Sequence, residues 1–267
     1  MDKLFYDMIF KRKSFHLFRE TGDEKISSSE LQDIQEKYNT FTPLVKDIKT
    51  AIKIVPAKET TCQRGEEYCI LLYSEKKDNY LQNIGYLGEQ LDLYLTSLNI
   101  GTLWFGIGKT EEIKYDNLNF VIMIAIKKVP ADKFRKDMFK SKRKPIDEIW
   151  NGKEYLNIAN IVRFTPSACN TQPWIVESSK DKLYIYRYKK PGKRGIMPTN
   201  KVIYYNRIDM GIFLLFIDLC LKHDNIKYAR TLLTDKNDDD EEKTLLATYQ
   251  LNQWKGEILL WTKLLKI

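Results

Sequence analysis

The stretch RFTPSACNTQPW, Arg163 to Trp174, holds Pro166 and Pro173 together with Ser167, Asn170 and Gln172, and carries no charge after Arg163. Proline, serine and asparagine favour turns, each for its own reason: a fixed φ, or a side chain that bonds nearby backbone. A helical pattern precedes the stretch and a β pattern follows it. A loop of this composition, deep in the chain, is expected to touch a ligand.

Working outward from that loop, Tyr155 to Phe164 reads as a helix. Trp174–Glu177 and Leu183–Tyr188 read as strands around a Ser-Ser-Lys-Asp turn. Arg207 to His223 is a long buried helix, with Ile208, Ile212, Leu215, Phe216 and Leu219 on one face. Ile226–Thr234 and Thr244–Leu251 form a hairpin across an acidic loop, Asp235 to Glu242. Upstream, residues 3–10 are helical, and Ser27–Ser29 with Glu30 mark a second helix start. Thr50–Val55 and Tyr68–Tyr73 are strands. Asn83–Leu98 is a strong helix, with Ile84, Leu87, Leu91, Tyr94, Leu95 and Leu98 recurring at three and four, and Gly101 is read as its end. Asn119–Val129 is a buried strand without alternation. The order helix, two strands, long central helix, β structure occurs twice. That predicts an α+β fold of two tandem halves, residues 1–149 and 150–251. Residues 252–267 form a C-terminal extension in which Leu259, Leu260, Leu264 and Ile267 could make an apolar face.

Composition bounds the function. The chain has 267 residues, 43% of them hydrophobic and 30% charged, which suits a folded globular protein. The longest uncharged apolar runs, Val121–Ile126 and Gly211–Ile217, fall far short of a bilayer span of ~20 residues. The N-terminal stretch carries charge inside its apolar part, so no signal peptide is read and a cytoplasmic setting is expected. Cys62, Cys69, Cys169 and Cys220 lack CxxC spacing, and neither a disulfide framework nor a metal site is expected. The net charge of +8 gathers at Lys11–Lys13 and Lys133–Lys144. No nucleic-acid module accompanies it, so the phosphate of a small ligand ranks above nucleic acid as the anionic partner.

Several motifs fail on chemistry. The acidic loop lacks the glycine and the bidentate glutamate of a calcium loop and reads as a solvated hairpin. GTLWFGIG, Gly101 to Gly108, has neither the spacing nor the preceding strand of a dinucleotide fingerprint, and reads as a helix cap and turn. His16 and His223 belong to no nucleophilic triad. RKSFH is more informative. Arg12, Ser14 and His16 alternate, so an extended chain turns a guanidinium fork, a hydroxyl and a second cation the same way, as a phosphate requires.

Together these segments resemble the FMN-dependent nitroreductase family. RKSFHLF resembles its R-R/H-S-x-R/K-x-F signature, and TPSACNTQPW its A/S-P-S-A/S-x-N-x-Q-P-W loop. IGTLWFGIG and SKRKPIDEIW resemble its glycine-rich turn and its basic R-K-P segment. One departure matters: here the P-S-A-x-N loop lies beyond the R-K-P segment. The corresponding first-half stretch, YNTFTPLVKDIKTAIKIVP, keeps Thr42-Pro43 without the serine and asparagine. The resemblance therefore implies a fused, single-chain pseudo-dimer with central helices flanked by mostly antiparallel sheets, which can be monomeric. One of its two flavin sites would survive. It implies that Arg12, Ser14, His16 and Arg143 hold the FMN phosphate. Pro166, Ser167, Ala168 and Asn170 would border the ring or ribityl chain, and Phe105 and Gly106 would lie near flavin N5. No catalytic side chain is implied, because flavin carries the hydride. NADH or NADPH would be the donor, and a nitroaromatic, quinone or similar small molecule the acceptor. The alternative is a flavin-binding relic without efficient turnover, motivated by His16 standing where the family has arginine or lysine.

Overall fold

Two five-stranded sheets flank a pair of long helices. The computed structural model describes residues 1–189, 195, 197–235 and 242–252. The N-terminal elements are α1 (Asp2–Lys11), α2 (Ser28–Tyr38), β1 (Thr50–Pro56), β2 (Tyr68–Ser74), α3 (Tyr80–Ser97), β3 (Ile100–Phe105), β4 (Lys114–Tyr115) and β5 (Leu118–Lys128). A connection with short 3-10 turns leads to α4 (Ile146–Ile149) and β6 (Trp150–Asn151). Then come α5 (Leu156–Val162), β7 (Trp174–Ser178), β8 (Lys182–Tyr188), α6 (Thr199–His223), β9 (Lys227–Leu232) and β10 (Lys243–Asn252).

Local chemistry explains several boundaries. Ser27 caps α2 in a capping box: its hydroxyl accepts from Glu30 N, and the Glu30 carboxylate accepts from Ser27 N at 2.9 Å. GTLWFGIG departs from expectation, because Gly101 lies inside β3 rather than in a helix cap. The chain turns earlier, at Asn99, with a left-handed φ of 57°. Helix α6 starts at Thr199, well before Arg207, with Pro198 just outside its first turn. Asp235 departs as well: it is buried, not solvated, and accepts from both Arg187 (2.8 Å) and Gln82 (2.9 Å). Most of the acidic loop, and the C-terminal extension, lie outside the described residues.

The sheets share one topology. The first runs β1-β2-β5-β3, with β4 against β5, and the second runs β6-β7-β8-β10-β9. In each, the long helix is inserted between the second and third strands of the common four. Pairing is antiparallel except for β6 with β7. The first sheet is covered on both faces by apolar side chains, which is why β5 reads as an unbroken apolar run; its second face carries Phe15, Leu71, Leu103 and Met123.

The helix crossing repeats itself across the two halves. A Cβ on Gly85 would overlap the Ile208 carbonyl, and a Cβ on Gly211 would overlap the Gln82 carbonyl. Each glycine thus meets the residue three positions before the other, the reciprocal pattern of a twofold contact. Gly85 and Gly211 stand 126 positions apart, as do Asn83 and Asp209, whose bonds match: Asn83 Oδ1 accepts from Val45 N, and Asp209 Oδ1 from Ala168 N, both at 3.0 Å. The same interval separates the buried carboxylates Asp92 and Asp218. Thr42-Pro43-Leu44-Val45 therefore stands in the first half where Thr165-Pro166-Ser167-Ala168 stands in the second.

Candidate functional site

Arg12 follows α1 and is almost fully buried. Its Nε donates to Asp92 Oδ2 at 2.8 Å, and Glu89 Oε1 lies 3.1 Å away without hydrogen-bond geometry. Thr102 Oγ1 and Trp104 Nε1 also donate to Asp92, at 2.6 and 3.0 Å, so this carboxylate is fixed from three sides. Burial alone would lower the Arg12 pKa, but Asp92 and Glu89 outweigh it and hold it above its ordinary value. Burial keeps the Glu89 carboxyl well above the usual carboxylate range despite Arg12. Because Asp92 grips Nε, the two-pronged end of the Arg12 guanidinium remains for another partner.

Three more arginines share that field. The Arg143 pKa is lowered to about 10 by burial, then by Arg135, Arg12 and Arg163. The Arg135 pKa is lowered by burial and by Arg12. Nε of both Arg143 and Arg163 is buried without a hydrogen-bond partner. Arg143 and Arg135 depressed by neighbouring guanidiniums, with bare donors on Arg143 and Arg163, are the donor set of an anion site.

The Thr165–Pro173 loop closes over this cluster. Arg143 Nη1 donates to Asn170 Oδ1 at 3.0 Å, and Lys144 N donates to Gln172 Oε1 at 2.8 Å. The basic segment and the loop are thereby locked together. Cys169, Asn170 and Gln172 all adopt left-handed φ, between 50° and 57°. Of the three only asparagine takes that region readily, and such strain concentrates where a backbone must present itself to something. On the loop's other side, Tyr205 lies in the field of Cys169 and donates its hydroxyl to Gly106 O at 2.6 Å. Tyr205, with its neighbour Asn206 accepting from Thr171 Oγ1 at 3.1 Å, thus links the end of β3 to the loop through α6.

The structure brings Arg12, Arg143 and Asn170 into one region and connects Gly106 to it through Tyr205. Phe105, beside Gly106, is half-buried with the Arg64 guanidinium 5.6 Å above its ring. Ser14 is half-buried and bridges Thr102 on the edge of β3. Lys13 Nζ lies 5.0 Å from the Phe15 ring, and the chain bends at His16. His16 is exposed. Pro166 is half-buried, the Ser167 oxygen accepts from Gln172 N at 3.0 Å within the loop, and the Ala168 amide donates to Asp209. Sequence reasoning missed Arg135, Arg163, Asp92, Asp209 and Tyr205. Asp92 did carry a signal: a carboxylate among the apolar repeats of a helix needs a buried partner.

Asp209 supplies a pH test. Burial pushes its pKa up to about 8, although the Ala168 amide and Thr171 pull the other way. A carboxyl that titrates higher folded than unfolded makes the folded state hold the extra proton between the two values. Stability from this group should therefore fall as pH rises from about 4 to about 8. Asp209→Asn keeps the Oδ1 acceptor, as Asn83 does in the matching position. It is expected to remove that fall and to melt above the parent near pH 8; an unchanged pH slope of the melting temperature would contradict the assignment.

Two sheets of shared topology about paired central helices define a nitroreductase-type α+β protein. Residues 5–220 match the family described as "Putative TM nitroreductase", and the chain belongs to that family of oxidoreductases. Among solved structures, a "putative nitroreductase" of Thermotoga maritima is 20% identical, covers 92% of each chain and superposes with a TM-score of 0.58. A "Putative NADH Oxidase" of Clostridium acetobutylicum is 13% identical (54% of this chain, 97% of that one, TM-score 0.39). A "putative nitroreductase in complex with fmn" of Desulfovibrio desulfuricans is 18% identical (54% and 93%, TM-score 0.38). Comparison with curated proteins gives no match. Among the described residues, no helix is long and apolar enough to cross a membrane.

Proposed function

We propose that the chain is an FMN-dependent oxidoreductase. It would draw a hydride from NADH or NADPH and pass electrons to a nitroaromatic, quinone or similar small acceptor. The observation that carries this reading is the arginine cluster. Arg12, Arg135, Arg143 and Arg163 converge under the strained loop, and the Nε atoms of Arg143 and Arg163 lack partners. FMN fits this donor set, because a phosphate dianion answers both the excess positive charge and the bare donors.

When bound, the flavin supplies the hydride and electron chemistry. The chain's residues bind and orient. Asp92 aims Arg12, Asn170 steadies Arg143, and Ser14 offers a hydroxyl beside the β3 edge. Gly106 lets the Tyr205 ring pack against the end of β3: a Cβ there would sit 2.7 Å from that ring. The same reading makes the chain a fused pseudo-dimer of residues 1–149 and 150–251, with one flavin on the seam. The repeated helix crossing and the paired Asn83 and Asp209 bonds support it.

The test is the absorption spectrum of the purified protein with its released flavin identified, followed by steady-state oxidation of NADH and NADPH with a nitroaromatic and a quinone. FMN and turnover above that of free FMN are expected. FMN without turnover would leave only the flavin-binding relic, and a colourless protein that takes up no flavin would contradict both.

A further inference from the structure

We propose that Cys62, Glu66 and Cys69 form a binding site for one thiophilic divalent cation of the zinc class, which staples the connection between β1 and β2. The site needs no flavin and does not depend on the function proposed above.

The connection folds back on itself: Ala57 N donates to Glu67 O at 3.1 Å, closing the loop. The closure brings both thiol sulfurs and a Glu66 carboxylate oxygen within 4.8 Å of one another. Both cysteines are buried and unpaired. Zinc takes sulfur at about 2.3 Å in a tetrahedron, so two thiolates on one ion stand on the order of 4 Å apart. The loop already holds its donors near that spacing.

Glu66 decides between a cation and a disulfide. Its Oε2 accepts from Arg64 N at 2.7 Å, but Oε1 is buried without a hydrogen-bond partner. A disulfide would answer the two sulfurs and leave that oxygen bare. A cation answers all three donors: the two thiolates balance its divalent charge, and the carboxylate adds a third ligand. Thr60 completes the surroundings: its hydroxyl lies 3.4 Å from Cys69 Sγ and accepts from Cys62 N at 3.2 Å. Partners of this kind orient metal ligands. Glu66 is only half-buried, which leaves a route in from solvent.

The staple would fix more than its own loop. Thr61 exchanges two bonds with Lys109, from Thr61 N to Lys109 O at 3.0 Å and from Lys109 N to Thr61 Oγ1 at 2.8 Å. Arg64, between the ligands, covers the Phe105 ring. A bound ion would therefore stiffen the wall carrying Phe105 and Gly106.

Cobalt(II) is the probe. Added to the full-length, reduced protein, it is expected to bind one equivalent with sulfur-to-cobalt charge-transfer absorption and to be displaced by zinc. Cys62→Ser and Cys69→Ser should each abolish the band, and Glu66→Gln should weaken binding by about tenfold or more. Should the serine variants misfold, zinc protection of both thiols against alkylation in the unaltered protein reads the same site. Absence of the band, its survival in both serine variants, unprotected thiols, or a Cys62–Cys69 disulfide in protein purified without reductant would each overturn the proposal.

Discussion

Arg143→Ala is expected to weaken FMN binding by about 10- to 100-fold, as befits loss of a charge-assisted phosphate contact. The flavin-free variant should melt at the parent's temperature or above it. The split follows from the cluster. Burial and three neighbouring guanidiniums already depress the Arg143 pKa to about 10, so its charge is a burden until an anion arrives. A merely structural arginine would behave in the opposite way, costing stability in the absence of ligand. Calorimetric titration of the deflavinated variant with FMN, alongside its thermal melt, separates the two. Arg143→Lys should recover only part of the affinity, because an ammonium cannot reproduce the fork that reaches Asn170 and Phe164 O.

Gly211→Val is expected to destabilise the fold by about 3 kcal/mol or more, the upper end for overpacking. That corresponds to a fall in melting temperature of roughly 6–12 °C for a chain of this size. The new side chain would be driven into the Gln82 carbonyl on α3, and both helices are rigid along their length. Gly85→Val should do the same through Ile208. Both substitutions push apart the same pair of helices, so the double variant should cost clearly less than the two singles added. Full additivity would mean that the two contacts are not coupled across one crossing.

Much of the fold was legible because its signals are local. Ile84, Leu87 and Leu91 recur at helical spacing, β5 is an unbroken apolar run, and Ser27 with Glu30 writes out a cap. Misreadings arose where a local signal has two meanings. Gly101 reads as a helix end, but Asn99 makes the turn and Gly101 sits in a strand where a Cβ would strike Phe15. Thr199–Asn206 mixes polar and aromatic residues, so the first two turns of α6 carry no clean apolar stripe. Asp235 stands among acidic residues, and its burial depends on Arg187 and Gln82, both distant in sequence.

The loop Arg163–Trp174 was legible as a candidate site by its composition, and its family resemblance named the expected ligand. The cluster beneath it was legible only in part. Arg12 and Arg143 lie in motifs, whereas Arg135 comes near Arg12 only when the connection after β5 folds back to bond Lys11 O through Arg135 N. The roles of Ser167 and Ala168 were hidden for a related reason. Nothing in the sequence tells whether a polar group faces a ligand or its own loop.

The central claim is one flavin per chain, held between Arg12, Arg135 and Arg143 of the first half and Arg163 with its following loop in the second. It is tested most directly by titrating deflavinated protein with FMN and counting equivalents bound at saturation. A value near one per chain is expected; a value near two would mean that the matching site in the other half is intact, and would contradict the account.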